Sequence, residues 1–287
     1  MGSAKLAVIG GSGLYEMAEA KLVKEHNVET PFGAPSAPVA EVEIGGRAAF
    51  FLPRHGIGHT LLPSEVNYRA NIFALKKVGA THVLAVSAVG IMKEDITRGD
   101  LVIPDQIFDR TKGVRESTFF GRGIVGHVPF ADPFCNHFSG SLAEAALQHT
   151  KKLHRGGTYV CMEGPQFSTR AESHRYRSSK PSVIGMTAIP EAKLAREAEL
   201  CYAMLCLTTD YDCWKEDEDV DIAAILKTLK ENATLSKKVI QSLAATLTPP
   251  PEHFCQTAAK HAIITNPKMI PAERKKELSV LFGKYLD

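Results

Sequence analysis

Arg54 and His55 directly follow an apolar run that ends in a proline, Phe50-Phe51-Leu52-Pro53. A guanidinium presents paired donors that match two oxygens of a phosphate, and a neighbouring histidine can donate a hydrogen bond or hold a proton. In α/β proteins, ligands commonly bind beyond the carboxyl ends of strands. We therefore interpret Arg54 and His55 as a candidate anion site. The alternative is a surface arginine that pairs with a carboxylate.

A glycine-rich loop, Gly10-Gly11-Ser12-Gly13, follows the first apolar run of the chain. Glycines let the backbone approach a ligand, and exposed N–H groups in such a loop suit an anion; a tight turn without a ligand is the alternative. The dinucleotide fingerprint is excluded because its third glycine would be Glu16. The nucleotide P-loop is excluded because no Gly-Lys-Ser/Thr follows. Ser87 and Ala88 near the end of another apolar run offer a further hydroxyl and backbone N–H groups.

Two carboxylates, Asp210 and Asp212, stand two positions apart at the end of a long apolar run. On an extended segment, side chains at i and i+2 point to the same side, so both could face one ligand. Ionised carboxylates accept hydrogen bonds and cannot donate them, so such a pair favours an amino group over a carbonyl. The alternative is a turn pair or a helix cap. The acidic run 216–219 is expected to be solvated.

The apolar pattern predicts the elements that position these residues. Strands are expected at 5–9, 39–44, 47–52, 82–89, 157–162, 182–186 and 201–209, with a hairpin turn at Gly45-Gly46. Helices are expected at 63–78, 138–151, 170–178, 190–198 and 221–245, with Asp221 capping the last, and one or two more between 255 and 286. This succession predicts a single α/β domain over 1–287, with a central mixed sheet flanked by helices and a helical tail from about 252.

Composition excludes several classes of protein. The 287 residues include 34 basic and 32 acidic ones, for a net charge of +2, which gives no footprint for binding nucleic acid or an anionic membrane. No run approaches the ~18 apolar residues of a membrane span. The six cysteines form no C-x-x-C and no zinc-type spacing with histidine, and His55 and His59 lack the glutamate of the H-E-x-x-H signature. We therefore expect reduced, mostly buried thiols, no metal and a cytoplasmic protein.

Several motifs, in this order along the chain, together resemble the trimeric purine nucleoside phosphorylases. They are Gly10–Gly13, Pro53–Gly56, Val66–Asn71, Met162–Ser168 and Met186–Glu191. The segment Thr209-Asp210-Tyr211-Asp212-Cys213-Trp214-Lys215 resembles the branch that cleaves 5′-methylthioadenosine. The resemblance runs from about residue 5 to 245, and the tail beyond Pro251 matches less clearly.

The resemblance implies a phosphorolytic enzyme of nucleoside salvage, for both purine and methionine. Its co-substrate would be inorganic phosphate, it would need no cofactor, and it would form a homotrimer or a dimer of trimers. The phosphate would be held by Ser12, Arg54, His55, Ser87, Ala88 and Thr187. The base and ribose would lie between Phe167 and Met186, and the purine would be contacted by Asp210 and Asp212. Asp210 would act as the acid at N7, with His55 as the second catalytic residue.

The resemblance also implies a specificity pocket for the 5′ substituent of the ribose. Its residues would be Ser168, Ile222 and Ile225, together with His127 and Leu281 contributed by a neighbouring subunit. Two departures affect the site. Serine stands at positions 12 and 87, where the family often has threonine, and Gly185 stands where asparagine is common.

The residues leave other functions open. One is a phosphorylase of the same fold that acts on adenosine or on 6-oxopurine nucleosides such as inosine, guanosine or methylthioinosine. The asparagine typical of the 6-oxopurine enzymes is replaced here by the aspartate pair. The second is a nucleosidase that uses water, and the third is a nucleoside-binding scaffold without catalysis.

Overall fold

The computed structural model describes residues 4–11, 20–215, 222–249 and 253–286. Within these ranges the strands are β1 Leu6–Gly10, β2 Lys21–His26, β3 Val39–Ile44, β4 Arg47–Pro53, β5 His82–Ile91, β6 Leu101–Ile103, β7 Gln106–Arg110, β8 Leu153–Arg155, β9 Thr158–Met162, β10 Val183–Gly185 and β11 Cys201–Asp210. The α-helices are α1 Tyr68–Lys77, α2 Asn136–Leu147, α3 Arg170–Arg177, α4 Ala188–Glu197, α5 Ile222–Thr246, α6 Ala272–Glu277 and α7 Ser279–Phe282. Short 3₁₀ turns occupy Phe254–Thr257, Pro267–Met269 and Gly283–Tyr285.

The strands form one mixed sheet that branches at β5. The main path runs β2-β3-β4-β1-β5-β10-β9-β7, and a side path leads from β5 through β11 and β6 to β8. Strands β4 and β5 both pair with β1 in parallel, and β11 pairs with β5 in parallel. The carboxyl ends of these four strands therefore meet at one edge, where α/β proteins place their ligands.

Both faces of the central strands are covered by helices. Along β11, Tyr202, Met204 and Cys206 belong to an apolar cluster that includes residues of α1, α4 and α7. Ala203, Leu205 and Leu207 belong to a second cluster, which includes residues of α2 and α5. This alternation is what a strand buried on both faces requires. Among the described residues, no helix is both long and apolar enough to cross a membrane.

Most of the predicted elements are confirmed, within a few residues at their ends, including the hairpin of β3 and β4. The helix predicted from Pro63 instead begins at Tyr68, because the side chain of Asn67 accepts a hydrogen bond from the N–H of Ala70 and caps it there. Gly79 follows that helix with a positive φ of 91°, as a residue just past a helix end should. The predicted cap Asp221 lies outside the described residues.

Four strands were not predicted: β2, β6, β7 and β8. Three of them are only three or five residues long, and the six residues of β2 are mostly polar and exposed. Such segments are too short or too polar to show the apolar alternation that identifies a strand. They form strands because neighbouring strands of the sheet pair with them.

Candidate active site

A cleft of about 760 Å³ opens at the edge where β1, β4, β5 and β11 end. It is lined by every predicted phosphate- or purine-contacting residue that the structure describes: Arg54, His55, Ser87, Ala88, Phe167, Met186, Thr187, Asp210 and Asp212. Ser12 lies outside the described residues. Residues at the ends of six strands and on α5 thus meet at one place.

The residues predicted to bind the 5′ substituent are not all found at the cleft. Helix α5 includes positions 222 and 225, but the side chains of Ile222 and Ile225 lie outside the described part of the structure. Ser168 is half-buried near the cleft, where its carbonyl accepts a hydrogen bond from the thiol of Cys213 at 3.2 Å. His127 is exposed and lines a separate cavity of about 530 Å³.

Leu281 does not fit the role that the resemblance implies. Its side chain is 2% exposed and belongs to the large apolar core of its own chain. A side chain buried in this way presents no surface to a neighbouring subunit. The contact predicted for Leu281 is therefore not supported by the structure.

The guanidinium of Arg54 is bound by the protein itself. Its Nε and Nη2 donate to the two carboxylate oxygens of Glu191 at 2.8 and 2.9 Å. The remaining N–H groups donate to the carbonyls of Ile9 and Val86 and to the hydroxyl of Ser87, each at 3.2 Å. A guanidinium has five N–H donors, so this network uses them all. Glu191 occupies the face of the guanidinium that a bidentate phosphate would need, so the phosphate contact of Arg54 stays a prediction.

Two hydroxyls extend this network towards the cleft. Ser87 on β5 accepts from Arg54, and its Oγ lies 2.9 Å from Oγ1 of Thr187. Thr187 follows β10, which is hydrogen-bonded to β5, so the sheet brings positions 87 and 187 together. The two hydroxyls are close enough to contact one ligand, and the charge of Arg54 lies behind them.

His55 is neutral near pH 7. Its Nδ1 lies 2.9 Å from the carbonyl oxygen of Leu61, which can only accept, so Nδ1 carries the hydrogen and Nε2 a lone pair. Burial, followed by the charge of Arg54, lowers the pKa of His55 to about 4. Its ring also stacks on His59, with the centroids 4.4 Å apart. His55 therefore offers a proton acceptor to the cleft.

Asp210 is placed in the cleft by a bulge in β11. Thr208 pairs with Val89 and Asp210 with Gly90, so Thr209 is the extra residue that re-aims the strand end. The hydroxyl of Thr209 donates to Oδ1 of Asp210 at 2.7 Å. A Cβ on Gly90 would lie 3.3 Å from Oδ2 of Asp210, so a glycine there leaves room for the carboxylate.

Asp212 reaches the same cleft by a turn. Its φ is +50°, a left-handed conformation that aspartate tolerates better than most residues, and its N–H donates to Oδ2 of Asp210 at 3.0 Å. The extended geometry assumed for this pair is therefore wrong, although both carboxylates do line the cleft. Asp212 is 3% exposed, and burial raises its pKa although the nearby hydroxyls of Ser173 and Ser168 and the N–H of Cys213 oppose that rise. No hydrogen bond of normal geometry from a described residue reaches its Oδ2. This buried acceptor suits a ligand that donates a hydrogen bond.

Several residues that shape the cleft were not predicted as site residues. Glu191 is fully buried and also accepts from the hydroxyl of Tyr202 at 2.9 Å. A second buried pair, Arg115 with Glu163, supports the cleft wall, because Arg115 donates to the carbonyls of Met186 and Ile189. Glu163 and Glu191 both lie in motifs that carry the family resemblance, and this position in the motifs could have identified them as site residues. Lys230 and Lys237 of α5 add two basic residues to the lining.

Comparisons with known proteins agree with this geometry. The family model described as the phosphorylase superfamily matches residues 5–245. The protein named S-methyl-5′-thioadenosine phosphorylase in Geobacter sulfurreducens is 52% identical over 282 residues, covering 98% of this chain and 99% of its own. The one named so in Chloroflexus aurantiacus is 49% identical over 289 residues, covering 99% of each chain.

Solved structures agree as well. A methylthioadenosine phosphorylase from an Antarctic soil metagenomic library superposes with a TM-score of 0.92 at 45% identity, covering 98% of this chain and 99% of that one. The methylthioadenosine phosphorylase of Schistosoma mansoni in complex with adenine gives a TM-score of 0.80 at 38% identity, covering 84% and 91%. The chain belongs to the phosphorylase superfamily, as its cleft and its sequence motifs both indicate.

Proposed function

We propose that this protein cleaves 5′-methylthioadenosine with inorganic phosphate, giving adenine and 5-methylthioribose 1-phosphate. The observation that carries the proposal is the pair Asp210 and Asp212, two buried carboxylates in a cleft whose other end has the Arg54–Ser87–Thr187 network. Relatives that carry this activity in their names align over almost the whole chain, which supports it. The products would return adenine to purine salvage and the methylthio sugar to methionine salvage.

At the phosphate end, positioning is the main contribution. Breaking the glycosidic bond builds positive charge on the ribose, and a phosphate dianion held beneath the ring stabilises that charge before it attacks the anomeric carbon. The hydroxyls of Ser87 and Thr187 hold the phosphate oxygens, Arg54 supplies positive charge behind them, and Nε2 of the neutral His55 accepts a hydrogen bond from the P–OH group of the dianion. Alignment of two reactants can lower the barrier by roughly 7–11 kcal/mol in ideal cases.

At the base end, the leaving adenine gains negative charge that must be neutralised at N7. Asp210 supplies or stabilises the proton there, and the free oxygen of Asp212 accepts a hydrogen bond from the 6-amino group. Inosine presents a 6-oxo group, so an acceptor would face an acceptor. This mismatch costs on the order of 1–3 kcal/mol and favours 6-aminopurines. Phe167 and Met186 flank the base and ribose.

We further propose that the active form is a cytoplasmic homo-oligomer, a trimer or a dimer of trimers. The exposed His127 would then complete the 5′ pocket of a neighbouring subunit, as the resemblance implies. A dilution series followed by analytical ultracentrifugation and activity tests this. Activity that falls as the assembly dissociates is expected, and a fully active monomer would contradict it.

The experiment for the reaction is to incubate the purified protein with 5′-methylthioadenosine, with and without phosphate, and to measure free adenine. Adenosine and inosine are run alongside. We expect adenine release only with phosphate, and inosine nearly inert. Release without phosphate would make the protein a nucleosidase, a preference for inosine would overturn the role of the aspartates, and binding without turnover would favour a scaffold.

A further inference from the structure

Four potential metal ligands meet in the core, outside the residues that line the cleft. The thiols of Cys135, Cys201 and Cys255 and a ring nitrogen of His253 all lie within 4.8 Å of one another. The three cysteines are between 1% and 2% exposed, and His253 is half-buried. None of the six cysteines of the chain forms a disulfide. Three thiols and one imidazole form a donor set typical of structural zinc sites.

The spacing of the ligand atoms suits a tetrahedral ion. With Zn–S bonds of about 2.3 Å, the sulfur atoms of a tetrahedral site lie ~3.8 Å apart. The Sγ of Cys135 and the Nε2 of His253 are 4.0 Å apart, and no pair in the cluster exceeds 4.8 Å. The four ligand atoms therefore already lie near the spacing that one tetrahedral ion requires.

The surroundings of the sulfur atoms suit thiolates. The N–H of Phe138 donates to Sγ of Cys135 at 3.4 Å, because Cys135 caps α2. The guanidinium of Arg196, 5% exposed, donates to Sγ of Cys255 at 3.8 Å. A zinc ion with three thiolates has a net charge of −1, which the neighbouring Arg196 would offset. Such outer donors orient and stabilise metal-bound sulfur.

The cluster joins three separate parts of the chain. Cys135 precedes α2, Cys201 begins β11, and His253 and Cys255 begin the segment 253–286. We propose that Cys135, Cys201, His253 and Cys255 bind one zinc ion, which fastens the carboxyl-terminal segment to the core. Binding displaces the thiol protons, and Nε2 of His253 then gives its lone pair to the metal. The hydrogen moves to Nδ1, which gives up its 3.3 Å hydrogen bond from the N–H of Cys255.

The first experiment measures metal in the protein purified with reductant and without chelator. Elemental analysis should find about one zinc per chain, and X-ray absorption should show three sulfur ligands and one nitrogen near 2.0–2.3 Å. Cobalt(II) added to the metal-free protein should give thiolate charge-transfer absorption. Chelation should lower the melting temperature.

Matched variants separate metal loss from a damaged core. Cys255→Ser removes one ligand of the zinc ion. His253→Gln removes another at a half-buried position, so this variant should still fold. Each substitution should weaken zinc affinity at least about tenfold. Cys206→Ala changes a buried cysteine of β11 outside the cluster and should keep the zinc. Phosphorolysis by His253→Gln at 25 °C should match that of the wild type.

Three results would overturn the proposal. One is wild-type protein that folds and stays metal-free when saturated with zinc. Another is zinc that His253→Gln and Cys255→Ser both retain at full affinity. The third is a disulfide among these cysteines under reducing purification, seen as a thiol count below six; it would make the cluster a covalent link. Inactive protein with normal zinc content would test the proposed reaction alone and leave this site intact.

Discussion

The two ends of the cleft differ in how completely their polar groups are satisfied. At the phosphate end, all five N–H groups of Arg54 have partners, and Ser87 and Thr187 contact each other. At the purine end, Oδ2 of Asp212 is buried without a hydrogen bond to a described residue, and Phe167 is 49% exposed. A hydrogen-bond network whose groups are all paired is rigid before the ligand binds. An unpaired, buried hydrogen-bond acceptor instead favours only a ligand that can donate a hydrogen bond to it. The phosphate end thus provides positioning, and the purine end provides discrimination.

The largest expected effect comes from the purine end. Asp210→Asn should lower kcat for 5′-methylthioadenosine about 10²–10⁴-fold, because an amide cannot supply the proton at N7. Steady-state kinetics with saturating phosphate measures this. Asp109→Asn, which alters a partly exposed ion pair with Lys193, is the matched control. A loss below tenfold in Asp210→Asn would mean that the base leaves without its help.

At the phosphate end the largest effect should be on stability. Glu191→Gln leaves the charge of Arg54 buried without its counter-ion and should cost about 3–5 kcal/mol of unfolding free energy. Denaturant unfolding measures it, with Glu94→Gln as the control, since that glutamate is 80% exposed in its pair with Arg177. Equal stability of the two variants would contradict a rigid, charge-paired phosphate end.

Asp212→Asn should change selectivity more than rate. The amide can donate to a 6-oxo group, so the ratio of kcat/KM for 6-amino over 6-oxo nucleosides should fall by about 1–3 kcal/mol, roughly 5- to 150-fold. Parallel kinetics with adenosine and inosine gives this ratio. An unchanged ratio would show that the free oxygen of Asp212 does not contact position 6.

The smallest effect concerns pH, and the two ends should differ in sign. The pKa of His55 is about 4 when folded, below its ordinary value of 6.5, so its contribution to stability is lost as pH falls from 6.5 to 4. The pKa of Asp212 is raised, so its contribution is lost as pH rises above 3.8. His55→Gln should reduce the slope of unfolding free energy between pH 4 and 6.5 by at most one proton equivalent. An unchanged slope would mean that His55 is not held neutral.

The strand ends of the site could be predicted from sequence, because apolar runs that stop at polar residues mark the carboxyl edge of a sheet. Arg54, Ser87 and Asp210 were placed in this way. The pairing of Arg54 with Glu191 could not be, since 137 residues separate them and only the folded sheet brings them together. The same holds for Cys135 and His253, which are 118 positions apart, because zinc motifs are recognised in sequence by short local spacings.

The local backbone geometry of the site could not be predicted from the sequence either. The pattern of residues 201–212 predicts an extended strand, but the bulge at Thr209 and the positive φ of Asp212 arise from hydrogen bonds of the Asp210 side chain and the sheet. Periodicity does not report such bonds. Asp210 and Asp212 therefore both line the cleft, but with a local geometry other than the predicted one.

Gly185 has an evolutionary consequence through its neighbour Tyr159. A Cβ on Gly185 would lie 2.8 Å from Cζ of Tyr159 and closer still to its hydroxyl, and Tyr159 is fully buried. The asparagine that the resemblance leads us to expect at this position therefore cannot replace Gly185 by one substitution while tyrosine stands at 159. The lineage must change the two positions together or shrink the tyrosine first. Positions 159 and 185 are thus expected to vary as a pair among relatives.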